Sequence, residues 1–452
     1  MYAYVAFLVV FLTYGMETAF FRYNSKEGSD KAAVFSTILI SLFISTAVFI
    51  FLTVSFRQPI AHWLRYSDFP QYVTWFAIIV GLDAISSIPL AKLRAENRAL
   101  KFAFVNISNV AVSIGLNVFF LWYCLPMHAK GVHNFFIDTF YNPGIGIGYV
   151  FISNLAASVV KFLLLAPEML KAKIKIISPL LKEMVWYGFP LLIAGLAGIV
   201  NETIDRIMIK RMLIDNLGES ATLTQLGIYG ACYKISIIIT LFIQAFRYAA
   251  EPFFFSQSTE TNAKEIYARV MNYFTIVCFT VFLGTMLYLD FIKHFIRNED
   301  FWAGLGVVPV LLMANVCLGI YYNLSIWYKL TGNTRFGAYI SVFGAILTIM
   351  INYLTIPVWG YMGAAWATLI CYASMVLVSY YFGQKNYRVP YNLKKFFLYF
   401  FSSVTLYFIS RLNPASSKIA MYGFNTLLLG VFGAIVLFNE FILGKKKEII
   451  QT

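Results

Sequence analysis

Charged residues are scarce in this sequence. Only 12% of its 452 residues are Asp, Glu, Lys or Arg, whereas about 25% is usual in soluble globular domains. The five cysteines show no Cys-X-X-Cys spacing, which argues against a zinc site and against a secreted disulfide framework. A Gly-X4-Gly-Lys-Ser/Thr motif is missing, so we expect no ATP hydrolysis by this chain. The sequence thus excludes a soluble protein and predicts neither enzyme nor cofactor nor metal centre.

Long apolar runs fill the chain instead. Apolar residues make up 60% of it, and a membrane-spanning helix needs roughly 20 of them in succession. Continuous runs also exclude an outer-membrane barrel, whose strands alternate. The cysteines lie within the runs and are expected to be small core residues. We predict an all-α polytopic membrane protein with about thirteen spans, at residues 1–21, 33–55, 71–91, 102–124, 146–167, 184–209, 225–250, 270–291, 304–328, 336–357, 361–384, 396–411 and 418–443.

The loop charges predict the orientation of these spans. The net charge is +14, but the basic residues fall mostly between the apolar runs, so no nucleic-acid partner is expected. Of the 35 Lys and Arg residues, 22 lie in the C-terminal tail and in the loops after odd-numbered spans, and 9 lie in the loops after even-numbered spans or at their edges. Cytoplasmic loops carry the excess of positive charge. The tail with Lys445, Lys446 and Lys447 is therefore predicted in the cytoplasm, and Met1 outside.

The sequence contains a weak internal repeat. Residues 17–22 (ETAFFR) resemble residues 251–256 (EPFFFS), and residues 148–153 (GYVFIS) resemble residues 363–368 (GAAWAT). Spans one to five then pair with spans seven to eleven in the same orientation, as in parallel-repeat transporters. We expect a parent of fourteen helices that is represented here without its first; a true thirteen-span protein is the alternative. The expected organisation is an N-terminal lobe at 1–175, a C-terminal lobe at 176–384, and two extra helices with a basic tail at 385–452.

Ionisable side chains within the spans are the first candidates for function, because each costs roughly 2.5–3.5 kcal/mol to insert. Asp83 and Lys234 lie deepest and have no oppositely charged partner three or four residues away. Each is therefore expected to face a cavity or another lobe. Lys161 lies six residues from a cytoplasmic span end, and we expect its ammonium to extend to the interface.

Four other charges have a structural explanation beside the functional one, because residues four apart on a helix can form an ion pair. These pairs are Glu202 with Arg206 and Arg247 with Glu251. Glu17 is the repeat counterpart of Glu251, which suggests a matched pair where the two lobes meet. Neutral polar residues form the next tier, either as interhelical hydrogen-bonding groups or as sugar contacts; they are Asn106, Asn109, Asn117, Gln244 and Asn352.

Two six-helix lobes plus two helices resemble the multidrug/oligosaccharidyl-lipid/polysaccharide (MOP) exporter superfamily. Within it, residues 4–22, which run from YVAF to YGMETAFFR, are similar to the second helix of bacterial polysaccharide (Wzx-like) flippases. WYGFP at 186–190, followed by NETIDR at 201–206, is similar to their seventh helix. GYMGAAWAT at 360–368 is similar to the opening of their twelfth.

The resemblance implies a flippase for an undecaprenyl-pyrophosphate-linked oligosaccharide, an O-antigen or capsule/exopolysaccharide repeat unit. It implies alternating access across the bacterial inner membrane, with membrane lipids around the protein. Because no ATP-binding motif is found, we expect the energy to come from an ion gradient with H+ or Na+ as the coupling ion, from the membrane potential, or from removal of product outside. A polysaccharide polymerase and chain-length machinery are the implied partners. A MATE-type multidrug exporter and a lipid II flippase are the alternatives within transport. A glycosyltransferase is disfavoured because such enzymes need a sizeable extramembrane loop.

We therefore expect two sets of site residues. Lys234 is the residue expected to attract the pyrophosphate. The substrate-binding set is Lys234, Arg247, Arg206, Asn117 and Asn352, and the ion-coupling or gating set is Asp83, Glu17, Glu251, Glu202 and Asp205.

Overall fold

A computed structural model of the chain describes residues 2–63, 68–146, 148–173, 176–412 and 417–442. Within these ranges the backbone is mostly helical and contains no strand. Eleven helices are long and apolar enough to cross a membrane. The predicted all-α polytopic membrane protein is therefore confirmed. The basic tail with Lys445, Lys446 and Lys447 lies outside the described residues.

The chain divides into two compact units. Unit 1 comprises Met1–Leu196 and Glu251–Phe255, and unit 2 comprises Ala197–Ala250 and Ser256–Thr452. The divide falls within two long helices, so neither unit ends at a loop there.

Unit 1 contains four long helices that pack in series, α3 on α5, α5 on α9 and α9 on α6. Asp30 caps the N-terminus of α3, because its carboxylate accepts the N–H groups of Ala32 and Ala33 at 3.0 and 3.1 Å. A core cluster joins α1, α5 and α9 through Leu12, Phe76 and Phe151. The helices are α1 (Tyr2–Thr13), α2 (Met16–Asn24), α3 (Lys31–Ser55), α4 (Arg57–Trp63), α5 (Gln71–Ala95), α6 (Ala99–Asn117), α7 (Leu125–Ala129), α8 (Phe135–Phe140), α9 (Gly148–Met169) and the first half of α10 (Ser178–Leu217).

The first predicted span is two helices rather than one. The chain breaks between α1 and α2, where Tyr14 and Gly15 have φ angles of 31° and 74°. A Cβ atom on Gly15 would lie 2.4 Å from the carbonyl oxygen of Gly188 on α10. Glycine is thus required by both the left-handed backbone and the close helix approach. The apolar run continues through the break, so hydropathy alone does not locate it.

Unit 2 packs α17 against α14 and α16, and packs α18 against α12 and α19. The weakest predicted span, 396–411, is the nineteen-residue helix α18, which is not among the eleven apolar spans. Cys232 and Cys278 are buried free thiols in the unit 2 core, as predicted. The helices are α11 (Glu219–Ser256), α12 (Ala263–Leu287), α13 (Leu289–Ile292), α14 (Val308–Leu324), α15 (Ile326–Leu330), α16 (Arg335–Trp359), α17 (Tyr361–Asn386), α18 (Leu393–Arg411) and α19 (Lys418–Leu437).

Candidate functional site

An ion pair lies inside the membrane-spanning part of unit 1. The Asp83 carboxylate on α5 accepts hydrogen bonds from Lys161 Nζ at 2.5 Å and from Ser158 Oγ at 3.0 Å, both on α9. The side chains of Lys161 and Asp83 are 12% and 27% exposed. The prediction that Lys161 extends to the interface is wrong, because a carboxylate on the neighbouring helix is within its reach. Asp83 correspondingly faces α9 of its own unit.

The acidic repeat counterparts also find partners within unit 1. Glu17 on α2 pairs with Arg94 at the end of α5, and Arg94 also lies over the ring of Phe21 at 5.1 Å. Glu251 is 7% exposed and accepts a hydrogen bond from Thr18 Oγ1 at 2.7 Å. Thr18 of the first repeat element thus contacts the acidic residue of the second, whereas Glu17 pairs with an arginine of α5.

A cluster of cations surrounds Glu168 at the end of α9. Its carboxylate is 1% exposed and receives hydrogen bonds from Arg98 Nη1 at 2.7 Å, Lys101 Nζ at 2.8 Å and Lys171 Nζ at 3.1 Å. Glu96, which is 41% exposed, adds a weaker contact to Arg98 at 3.4 Å. This cluster ties the start of α6 to the end of α9.

Asn117 on α6 bonds within its own helix, since its amide donates to the Ser113 carbonyl at 2.8 Å. It is the last residue before a π-helical segment, Val118–Cys124. Such segments are often found at functional positions. This segment could not be predicted from the sequence, because its apolar run contains no proline or glycine.

Buried amides line one side of α16 in unit 2. Asn352 is fully buried, and neither its Nδ2 nor its Oδ1 has a hydrogen-bond partner among the described residues. One turn earlier, Thr348 donates to the Oδ1 of Asn201 on α10 at 3.3 Å. An unsatisfied buried amide costs about 1–3 kcal/mol, so Asn352 is a candidate for contact with cargo. Asn201 and Thr348 are polar groups that the sequence-based set missed.

The predicted Glu202–Arg206 ion pair is wrong for the described residues. Arg206 instead donates from Nη1 to the Glu202 backbone carbonyl at 3.0 Å and lies over the Tyr233 ring at 4.4 Å. Glu202 itself is exposed. Asp205 is 1% exposed and accepts the Tyr229 hydroxyl at 2.5 Å. Tyr229 and Tyr233, both on α11, therefore contact Asp205 and Arg206.

Arg247 is a second cation that lies against an aromatic ring in unit 2. Its guanidinium is 4.8 Å from the centre of the Tyr322 ring on α14. Stacking on a ring face is a common way for arginine to be held inside a protein.

Lys234 is exposed and lines a cavity of about 530 Å³ in unit 2. Two polar residues from the segment after α13, Arg297 and Asn298, line the same cavity. Lys234, predicted to face a cavity or another lobe, thus lies at a cavity of its own unit. Arg297 was not predicted, because the sequence places it in a loop and only the fold brings it to α11. The rest of the lining is mostly apolar: Ala231, Ile235, Ile238, Ile292, Phe295, Ile296 and Phe301.

Comparisons with known proteins agree with this architecture. A family model described as polysaccharide biosynthesis protein matches residues 1–258. The lipid II flippase MurJ, in an inward closed conformation, is 15% identical with a TM-score of 0.56, over 97% of this chain and 92% of its own. The MATE transporter VcmN of Vibrio cholerae is 14% identical with a TM-score of 0.68, over 87% of this chain and 88% of its own. Curated proteins give no match to the sequence.

A third solved structure has the same fold. An outward-facing multidrug resistance MATE family transporter of the MOP superfamily is 14% identical with a TM-score of 0.64, over 85% of this chain and 84% of its own. At such identities the likeness concerns the fold. The predicted MOP-type fold is confirmed.

Proposed function

We propose that this chain, which belongs to the polysaccharide biosynthesis protein family, is a flippase that moves a lipid-linked oligosaccharide across a membrane. The match of that family's model to residues 1–258 carries the proposal, because it covers more than half of the chain. The multi-pass helical fold and its likeness to MOP transporters support it. The proposed cargo is an undecaprenyl-pyrophosphate-linked repeat unit of O-antigen, capsule or exopolysaccharide. The proposed location is the bacterial inner membrane, with the C-terminus in the cytoplasm.

The cavity of unit 2 supports an anionic cargo. Lys234 and Arg297 line it, and none of its lining residues within the described ranges carries a carboxylate. Cationic drugs need negative charge at their binding site, so this lining favours a pyrophosphate over the cargo of a multidrug exporter. The lipid tail can stay in the bilayer while only the headgroup follows a polar route. We propose Lys234 as the pyrophosphate-binding residue, and Arg206, Arg247, Asn117 and Asn352 as further substrate-binding residues.

Energy is proposed to come from an H+ or Na+ gradient acting on the intramembrane carboxylates. Asp83 is the best placed, because Lys161 and Ser158 already converge on it from a neighbouring helix. A proton on Asp83, or a sodium ion beside it, weakens its attraction to Lys161 and so alters the packing of α5 on α9. An ion drives transport only through different affinities for the two states of the cycle. Glu17, Glu251, Glu202 and Asp205 are the remaining coupling or gating candidates.

The experiment is complementation of bacteria that lack their own polysaccharide flippase. We expect the chain to restore surface polysaccharide, Lys234→Ala to abolish that rescue, and Lys234→Arg to retain part of it, since a diffuse anion needs charge more than shape. Equal membrane levels of the three proteins are the control. Rescue of a lipid II flippase mutant alone, or drug resistance alone, would contradict the proposed cargo. The polymerase and chain-length machinery are proposed partners, testable by crosslinking in the rescued cells.

A further inference from the structure

The cavity of unit 2 combines a charged end with an apolar wall. Its volume of about 530 Å³ lies within the usual range of small-molecule sites, roughly 300–1,000 Å³. Lys234 of α11 and Arg297 and Asn298 of the segment after α13 supply its polar groups. Since these residues are more than 60 positions apart in the sequence, the fold, and not a local motif, assembles the charged end.

The cations of this cavity have no acidic partner in the part of the chain that the structure describes. Among the described residues, neither Lys234 nor Arg297 forms an ion pair, whereas nearby Lys293 pairs with Asp290 at 2.9 Å and lies over the ring of Trp302. A lysine within a membrane-spanning helix is costly and is rarely kept without a function. Two cations without partners at one cavity therefore point to an anionic ligand.

Asn298 adds an oriented donor. Its side-chain oxygen accepts the backbone N–H of Asp300 at 3.1 Å, so its side-chain N–H groups are the ones available to a ligand. Glu299 and Asp300 follow it in the chain but do not line the cavity. The polar end thus offers a lysine, a guanidinium and an amide, all of them donors that suit phosphate oxygens.

The apolar wall continues along the exposed face of α11. Ile238 and Leu241 follow Lys234 at spacings of four and three residues, so the three side chains share one helix face. Ile238 is 42% exposed and Leu241 is 63% exposed. An apolar strip therefore leads away from the charged end, as an amphiphile with a charged head and a hydrocarbon chain requires.

We propose that this cavity binds the phosphate headgroup of a membrane lipid, with Lys234, Arg297 and Asn298 on the phosphate oxygens and the hydrocarbon chain along Ile238. The role of this cavity in transport rests on the proposed function. The proposal adds Arg297 and Asn298 to the residues that bind the headgroup. The predicted orientation places the segment after α13 on the outer side of the membrane. The site would then hold the lipid diphosphate after it has crossed, before release into the outer leaflet.

The test is lipid binding to the purified full-length chain in nanodiscs. The probes are undecaprenyl diphosphate, undecaprenol, which lacks phosphate, and phosphatidylglycerol. We compare wild type with Lys234→Ala, Arg297→Ala and the double variant. Lys293→Ala, a cation of the same segment that does not line the cavity, is the matched control. Melting temperatures show that each variant is folded.

We expect wild type to bind undecaprenyl diphosphate at least about tenfold more tightly than undecaprenol, and each cavity substitution to cost about tenfold. Lys293→Ala should change nothing. Equal binding of undecaprenol, or wild-type binding by the folded double variant, overturns the site. Competition by phosphatidylglycerol on equal terms supports a lipid-phosphate site and assigns it to bulk phospholipid rather than to the cargo lipid.

Transport in proteoliposomes separates this proposal from the proposed function. Wild-type chain that binds undecaprenyl diphosphate through Lys234 and Arg297 but moves no lipid-linked oligosaccharide contradicts the function and leaves the site standing. Wild-type chain that transports, with a double variant that still binds, contradicts the site and leaves the function standing.

Discussion

Removing Lys161 alone should destabilise the protein more than removing Lys161 and Asp83 together. Lys161→Met leaves the Asp83 carboxylate in a membrane-spanning helix with the Ser158 hydroxyl as its one remaining hydrogen-bond donor among the described residues. Asp83→Asn with Lys161→Met leaves two neutral side chains of similar size. The comparison therefore separates the cost of an uncompensated charge from the cost of losing the pair.

The magnitude follows from the exposure of the two side chains. Breaking a fully buried ion pair from one side costs roughly 3–5 kcal/mol. Because the Lys161 side chain is 12% exposed and the Asp83 side chain is 27% exposed, water screens the remaining charge in part. We expect Lys161→Met to lower the free energy of unfolding by about 2–3 kcal/mol, and the double variant to stay within about 1 kcal/mol of wild type.

The assay is a double-mutant cycle of unfolding in mixed micelles, with transport measured on the same four proteins. A coupling energy below about 0.5 kcal/mol would mean that the two side chains do not interact, and the reasoning would be wrong. Transport then distinguishes the two roles of Asp83. A stable double variant that still transports assigns the pair to structure, and a stable double variant that does not transport assigns Asp83 to ion coupling.

Three further substitutions test other parts of the molecule. Gly15→Ala should lower the free energy of unfolding by about 2–4 kcal/mol. Gly218 is the control, because it has a φ of 76° but open space around it, and Gly218→Ala should cost about 1–2 kcal/mol. Equal shifts in melting temperature would refute the close approach of the helices at Gly15. Glu168→Gln should lower the free energy of unfolding by about 1–3 kcal/mol, and substitution of the half-exposed Glu96 by Gln should lower it by less than about 1 kcal/mol. Thermal unfolding at low and high salt measures both effects, and equal destabilisation by the two variants would contradict the prediction. Asn352→Leu should keep or raise stability yet reduce transport at least about tenfold; unchanged transport would make Asn352 a packing residue.

The spans could be predicted from the sequence because the membrane imposes one rule on every helix. A run of about 20 apolar residues is needed wherever the chain crosses, and eleven of the predicted runs are apolar helices of that length. The break at Gly15 could not be predicted in this way. It depends on the approach of Gly188, which is 173 residues away in the sequence and adjacent only in the fold.

The site was harder to predict for a related reason. Spacings of three or four residues reveal partners on the same helix, but the partner of Asp83 lies on α9, 78 residues away. For the same reason, spacing along the sequence does not reveal that Arg94 is the partner of Glu17. Lys161 was in view as an intramembrane charge, and an inventory of opposite charges at matching membrane depth would have paired it with Asp83.

Lys234 shows why a charge can be recognised as functional when its surroundings cannot. The cost of burying an ammonium in a membrane-spanning helix is visible in the sequence. The cavity beside it depends on where the segment after α13 folds, and that segment brings Arg297. Lysines paired within the fold, such as Lys161, have their cost offset by a carboxylate, whereas Lys234 has no such partner among the described residues. The unpaired cation is therefore where an external anion gains most by binding, and this distinction requires both the sequence and the fold.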